Sequence, residues 1–91
     1  MGKAFETLEA WKVAVDLATE IYKVTSQFPK EEQFGVTAQL RRAVVSISSN
    51  VAEGKSRNSL KEYKQFLKIA LGSLNEVESL LMVSKNLGFI K

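Results

Sequence analysis

Residues 39–54 read QLRRAVVSISSNVAEG and contain two interleaved patterns with helical spacing. One pattern is apolar, recurs every three or four positions as on one face of an α-helix, and comprises Leu40, Val44, Ile47 and Val51. The other is polar and comprises Gln39, Arg42, Ser46, Asn50 and Glu53. We therefore expect a helix that packs on one side and makes polar contacts on another. It should end at Gly54, because glycine accepts the left-handed geometry of a C-terminal cap.

Residues 8–25 carry apolar side chains at spacings of three and four, which predicts another helix before this stretch. Thr7 is the expected N-cap. Pro29 should end the helix, because the residue before a proline disfavours helical geometry. Trp11 and Tyr22 fall on the apolar stripe, so we expect them in the core, although aromatic rings can also stack on nucleic-acid bases.

Ser59 and Glu62 form a capping box, which marks the start of a third helix. Two apolar stripes then run side by side through residues 60–87, so this helix should be buried against more than one neighbour. Gly72 lowers helix stability, and its presence predicts a close approach of another helix. In the connection before the second helix, Phe34 is expected to plug the core.

The composition predicts one all-α domain spanning residues 1–91, with helices at about 7–27, 36–53 and 59–87 in an antiparallel, up-and-down bundle. The chain has no cysteine and no histidine, so it lacks disulfides, thiolate metal ligands and the commonest catalytic base. Glu53 and Glu62 could be considered as a catalytic acid–base pair. The lack of a histidine and of a glycine-rich phosphate loop argues against this role. No apolar run approaches the roughly 20 residues of a membrane span. We expect a cytoplasmic, non-enzymatic protein with no metal, cofactor or membrane contact.

Basic residues are concentrated in the middle of the chain. Residues 41–68 hold seven Lys and Arg against two acids, a net charge of +5, whereas the remaining residues carry −2. Basic clusters of this kind bind phosphate groups, but a row of lysines also occurs as an ordinary hydrated face. The candidates for nucleic-acid binding are Arg41, Lys55, Arg57, Lys61, Lys64 and Lys68.

The polar line of the second helix and two residues of the third predict a polar core between helices, formed by Arg42, Ser46, Asn50, Glu53, Ser73 and Glu76. For Arg42 we favour an ion pair with Glu76 or Glu78 over a phosphate contact. For Arg41 both roles stay open, because arginine forms bidentate bonds with carboxylate and with phosphate.

Several motifs together resemble one protein family. They are L-x-x-W at Leu8 and Trp11, FP at 28–29, E-x-F-G at 32–35, QLRRA-x-x-SI-x-x-N-x-AEG at 39–54, Arg57, Ser59, FLKIALGSLNE at 66–76 and LGFI at 87–90. The chain resembles the small bacterial four-helix bundle proteins encoded in intervening sequences of 23S ribosomal RNA genes. A related branch is the accessory variability determinant of diversity-generating retroelements.

The resemblance implies a four-helix bundle protomer, a pentameric ring, and binding of nucleic acid through basic surfaces. Members of the family continue past the LGFI turn into a fourth helix, whereas the printed sequence stops at Lys91. We therefore expect three helices that leave apolar surface uncovered, and hence a homo-oligomer.

Two functions follow from these features. The first is a non-catalytic module that binds RNA or DNA, or that assembles, through a basic surface on a homo-oligomer. The alternative is a structural protein–protein interaction module that recruits a partner such as a polymerase. Binding to RNA or DNA that weakens steeply with salt distinguishes the first from the second.

Overall fold

The computed structural model describes residues 4–90. Helix α1 spans Glu9–Thr25, α2 spans Val36–Lys55 and α3 spans Leu60–Asn86, with short 3-10 turns at Ala4–Thr7 and Lys30–Glu32. No β-strand occurs between residues 4 and 90. The predicted all-α bundle is confirmed, and each helix begins and ends within two residues of its expected position.

Helix α2 is the packing partner of both other helices. It supplies most of the buried core through Val36, Leu40, Ala43, Val44, Ile47 and Val51. Helix α1 adds Ala14 and Ile21, and α3 adds Ala70 and Val77. In contrast, no Cα atom of α1 lies within 8 Å of one in α3. The helices therefore form a layer with α2 in the middle and an open channel between α1 and α3.

Contacts between side chains show that consecutive helices run in opposite directions. The end of α2 lies beside the start of α3, where the Gly54 backbone approaches Tyr63 and Phe66. The start of α2 lies beside the end of α1, where Arg41 contacts Thr25. No helix between residues 4 and 90 combines the length and apolar character needed to cross a membrane.

The helix ends satisfy their free backbone groups through local hydrogen bonds. The predicted N-cap of the capping box is confirmed, because the Glu62 N–H donates to Ser59 Oγ at 3.1 Å. The Glu62 carboxylate reaches back to the same residue by accepting from the Ser59 hydroxyl at 3.3 Å. At the end of α3, Gly88 has φ of +81° and Phe89 N–H donates to Ser84 O at 2.9 Å. This pairing is a Schellman motif, which turns the chain back toward the core.

The first helix begins differently from the prediction. Thr7 lies in the 3-10 turn before α1, and its hydroxyl donates to Ala4 O at 3.0 Å. Leu8 occupies the N-cap position, where no side chain caps the helix. The prediction of Thr7 as the N-cap is wrong, because its hydroxyl is hydrogen-bonded within the preceding turn.

Neither Gly54 nor Gly72 has the role predicted for it. Helix α2 continues through Gly54 to Lys55, so Gly54 is not a left-handed cap. A Cβ atom at Gly54 would lie 2.8 Å from Phe66 Cβ, so its missing side chain lets α2 and α3 approach closely. A Cβ atom at Gly72 would meet nothing within 4 Å. The expected close approach at Gly72 is therefore absent from this chain.

Three aromatic side chains are less buried than their spacing indicated. Phe34 is 89% exposed and does not plug the core. Tyr22 is 43% exposed, because it lies at the edge of α1 beneath Arg41. Trp11 is half-buried and packs edge-on against Phe5, with ring centroids 5.2 Å apart. The centre of the bundle is filled instead by the aliphatic residues of α2.

Alanine substitutions at the two helical glycines should have opposite effects on stability. We expect Gly72→Ala to stabilise the chain by up to about 1 kcal/mol, since alanine is a better helix former and has free space there. Gly54→Ala should destabilise it by about 1–3 kcal/mol, since the new methyl group would force α2 and α3 apart. Urea unfolding followed by circular dichroism measures both, and a loss of stability in Gly72→Ala would contradict this assignment.

Removing the cap of α3 should weaken the chain by a smaller amount. We expect Ser59→Ala to lower the free energy of unfolding by about 1 kcal/mol, because the Glu62 N–H would lose its acceptor. Ser79→Ala is the matched control, since Ser79 is exposed in the same helix and should tolerate alanine without loss. Equal unfolding curves for the two variants would show that the capping box contributes nothing measurable.

Candidate nucleic-acid interface

Three lysines of α3 form a continuous row on its outer face. Lys61, Lys64 and Lys68 are all exposed, and their spacing places them on one side of the helix. Ala70 and Val77 are buried on the opposite side, where α3 packs on α2. The row therefore points to solvent, as expected for charges that bind an external anion and also for an ordinary hydrated face.

Two further cations lie where α2 turns into α3, and each stands over an aromatic ring. Lys55 Nζ is 5.6 Å from the centroid of the Tyr63 ring. Arg57 Cζ is 5.0 Å from the centroid of the Phe66 ring. Both distances lie within the range of cation–π attraction. These side chains are thus held in place at the corner between the two helices.

The turn places these two cations at the same end of the molecule as the lysine row. We call the set the basic end, and it consists of Lys55, Arg57, Lys61, Lys64 and Lys68. The acids in this part of the chain are Glu53 and Glu62. Glu53 forms an ion pair with Arg57 at 2.8 Å, and Glu62 is engaged with Ser59 in the capping box. The lysines of the row keep their positive charges without a bound carboxylate among the described residues.

Arg41 does not belong to the basic end. It precedes Lys55 by 14 residues in the same helix, which is about 20 Å along the axis. Its Nε donates to Thr25 Oγ1 at 2.9 Å, its Nη2 donates to Tyr22 O at 3.3 Å, and its Cζ lies 4.5 Å from the Tyr22 ring centroid. Arg41 therefore joins α2 to α1 through neutral partners and not through the ion pair considered from the sequence.

Part of the predicted polar core is present between α2 and α3. Ser73 Oγ donates to Ser46 Oγ at 3.0 Å across the two helices. Asn50 Nδ2 donates to Ser46 O at 2.8 Å and to Ser46 Oγ at 2.9 Å. All three residues are half-buried. This hydrogen-bonded group links α2 and α3 beside the apolar core.

The charged members of the predicted polar core lie outside it. Arg42, Glu53 and Glu76 are exposed, so the prediction that they are buried is wrong for this chain. Arg42 and Glu76 lie beside Ser46 and Ser73 in an open cleft of about 390 Å³, with no ion pair to a described residue. Burying a charge costs far more than leaving it hydrated, and their helix positions let the side chains reach water.

A groove between α1 and α3 is a further surface feature, and its extent was not evident from the sequence. It opens into cavities of about 420 and 580 Å³ along its length. Its apolar lining includes Val13, Leu17 and Val24 from α1 and Leu67, Leu71, Leu74 and Met82 from α3. We call this feature the α1–α3 groove. Val13 is 60% exposed and Met82 is 65% exposed, so the groove wall is open to water.

The second apolar stripe of α3 lies on a different side of that helix. Ile69, Val83 and Leu87 are exposed there, whereas Phe66 and Leu80 are half-buried. The expectation that α1 and α2 leave apolar surface of α3 uncovered is thus met on two sides of the helix. Within residues 4–90, no three acidic side chains converge in a way that could hold a metal ion.

The cation–aromatic pairs of the basic end were also not predicted from the sequence. Lys55 and Tyr63, like Arg57 and Phe66, are separated by a turn between two helices, so helical spacing does not connect them. The signal that could have found them is the combination of Gly54 with the capping box at Ser59. Together these features predict a tight turn, which brings the residues on its two sides together.

Comparison with known proteins identifies the family of this chain. No curated protein matches its sequence. A family model described as the 23S rRNA-intervening sequence protein matches residues 6–91, which is nearly the whole chain. The family resemblance of the motifs is therefore confirmed, and the chain belongs to the 23S rRNA-intervening sequence protein family.

Proposed function

We propose that this chain is a non-catalytic module that binds the backbone of RNA or DNA through the basic end. The observation that carries the proposal is the presence of five cations at one end of the molecule, supplied by the end of α2, the following turn and the start of α3. Three of them form an exposed row on α3. Lysine and arginine bind phosphate by releasing counterions from the nucleic acid, so such a row supplies affinity without reading base sequence.

Assembly would strengthen this binding. A patch of five cations on a chain of 91 residues provides few phosphate contacts, and affinity from one patch should be weak at physiological salt. Several copies held in one homo-oligomer, such as the pentameric ring implied by the family resemblance, would engage the same strand together. Linking weak sites raises their combined affinity without a new contact.

Removing the charges of the lysine row should weaken binding and reduce its dependence on salt. We expect the triple variant Lys61→Gln, Lys64→Gln and Lys68→Gln to keep its helicity, because glutamine is a good helix former at exposed positions. The slope of log affinity against log salt concentration should fall by about 2 to 3, since each lost phosphate contact contributes about 0.7 to 0.9. Filter binding over a salt series measures both effects.

The matched control removes the same charge at the opposite end of the molecule. Lys23, Lys30 and Arg42 are exposed and lie near the end of α1, in the turn before α2 and near the start of α2. Changing all three to glutamine should leave affinity and salt slope close to those of the parent chain. Equal losses in the two triple variants would mean that overall charge, and not the basic end, governs binding.

The α1–α3 groove favours assembly as a second candidate function. Its walls are apolar helix faces, which soluble proteins seldom leave uncovered over large areas. The occupant we propose is a second copy of the chain, packed with its own groove against the first. The rim carries Glu20, Glu78 and Lys85, so both signs of charge are available to pair across such a two-fold interface.

A charge placed in the groove should dissociate the assembly. We expect the parent chain to sediment at micromolar concentration as a species heavier than the 10.1 kDa protomer. Leu71→Glu should shift it toward the protomer, because the interface would have to bury the new carboxylate. Phe34→Glu, an exposed aromatic outside the groove, is the control and should not change the mass. A parent chain that sediments as a monomer would contradict this second function.

A further inference from the structure

We propose that the basic end prefers unpaired nucleic-acid bases over a duplex, because Arg57 presents a flat stacking surface backed by the Phe66 ring. This inference rests on the proposed function, since it names the class of nucleic acid that the same site takes. The shared chemistry is an exposed base with a free π-face, which single-stranded RNA and single-stranded DNA both offer.

The guanidinium of Arg57 is held on two sides. Its Cζ lies 5.0 Å from the centroid of the Phe66 ring, and its Nη2 lies 2.8 Å from Glu53 Oε2. The Arg57 side chain is nevertheless 42% exposed, so part of it faces solvent. A planar guanidinium that lies over a ring and is partly exposed has a face available to another planar group. Bases of single-stranded nucleic acids stack on arginine planes of this kind.

The ion pair with Glu53 favours base stacking over phosphate binding at Arg57. The carboxylate offsets the positive charge of the guanidinium, which weakens its attraction for a second anion. It also occupies one of the donor groups that a bidentate phosphate contact would use. The flat surface of the guanidinium is unaffected by this pairing. Arg57 thus differs from the lysine row, whose ammonium groups attract phosphate as point charges.

The ring beneath Arg57 belongs to the rigid part of the fold. Phe66 Cβ lies only 2.8 Å from the position that a Cβ at Gly54 would take, so α2 and α3 are in close contact at this point. Tyr63 borders the same glycine and carries Lys55 over its ring at 5.6 Å. A stacking surface that is already ordered needs little conformational entropy to bind, which favours affinity.

A duplex cannot use this surface in the same way. Its bases are stacked on one another, so their π-faces are closed, and a protein on its outside meets mainly phosphate and sugar. The lysine row serves both kinds of nucleic acid through phosphate contacts. Arg57 adds a contact that only unpaired bases can make, and the preference between single strand and duplex should depend on this residue.

The test compares three labelled probes of one mixed sequence by fluorescence anisotropy: the DNA single strand, the RNA single strand and the annealed DNA duplex. The full chain should bind both single strands more tightly than the duplex. Arg57→Lys keeps the charge and removes the plane, so single-strand affinity should fall about fivefold or more. Duplex affinity should stay the same. Arg42→Lys is the matched control, because Arg42 is exposed and has no ring partner among the described residues.

A second variant keeps the test valid if lysine at position 57 perturbs the turn. Phe66→Leu removes the ring but retains an apolar side chain with the same Cβ contact to α2, and it should reproduce the selective loss. Equal losses on single strand and duplex, or no loss, would overturn the stacking role. A parent chain that binds all three probes equally would refute this inference alone. A parent chain that binds none of them would refute the proposed function as well.

Discussion

The structure depends on α2 being buried by both of its neighbours, while the Cα atoms of α1 and α3 stay more than 8 Å apart. Leu40 and Val44 are completely buried in the middle of α2, which shows how fully the helix is enclosed by α1 and α3. The inner faces of α1 and α3 are buried against α2, but the apolar residues that flank these faces remain in contact with water. The α1–α3 groove is the direct result of this arrangement. Its exposed apolar surface favours assembly, because assembly would remove that surface from water.

The position of α3 on α2 also builds the basic end. Close contact at Gly54 draws the start of α3 against the end of α2, and the capping box at Ser59 fixes where α3 begins. This turn sets Lys55 and Arg57 over the rings of Tyr63 and Phe66, at the end of α3 that also carries the lysine row. The same packing that stabilises the helix pair therefore orders the cations that we assign to nucleic-acid binding.

Polar contacts fix the register of the helices on either side of α2. Arg41 joins α2 to the end of α1 through Thr25, and Ser46 joins α2 to α3 through Ser73. Apolar contacts alone tolerate small sliding movements, whereas hydrogen bonds have narrow distance and angle requirements. These links are distributed along α2, so they hold α1 and α3 in one position relative to α2. They therefore also fix the position of the basic end relative to the α1–α3 groove.

Sequence periodicity by itself determined the three helices, their order and the apolar face of α2, because these features depend on spacing within one helix. The cap of α3 was also predictable, since Ser59 and Glu62 lie within one turn of each other. Only the tertiary structure decided which arginine lies where: Arg41 is tied to α1, Arg42 is exposed, and Arg57 lies over the Phe66 ring. It also placed the close approach of two helices at Gly54 and not at Gly72. The reason is that each of these outcomes depends on a neighbouring helix, whose distance and rotation cannot be obtained from local spacing.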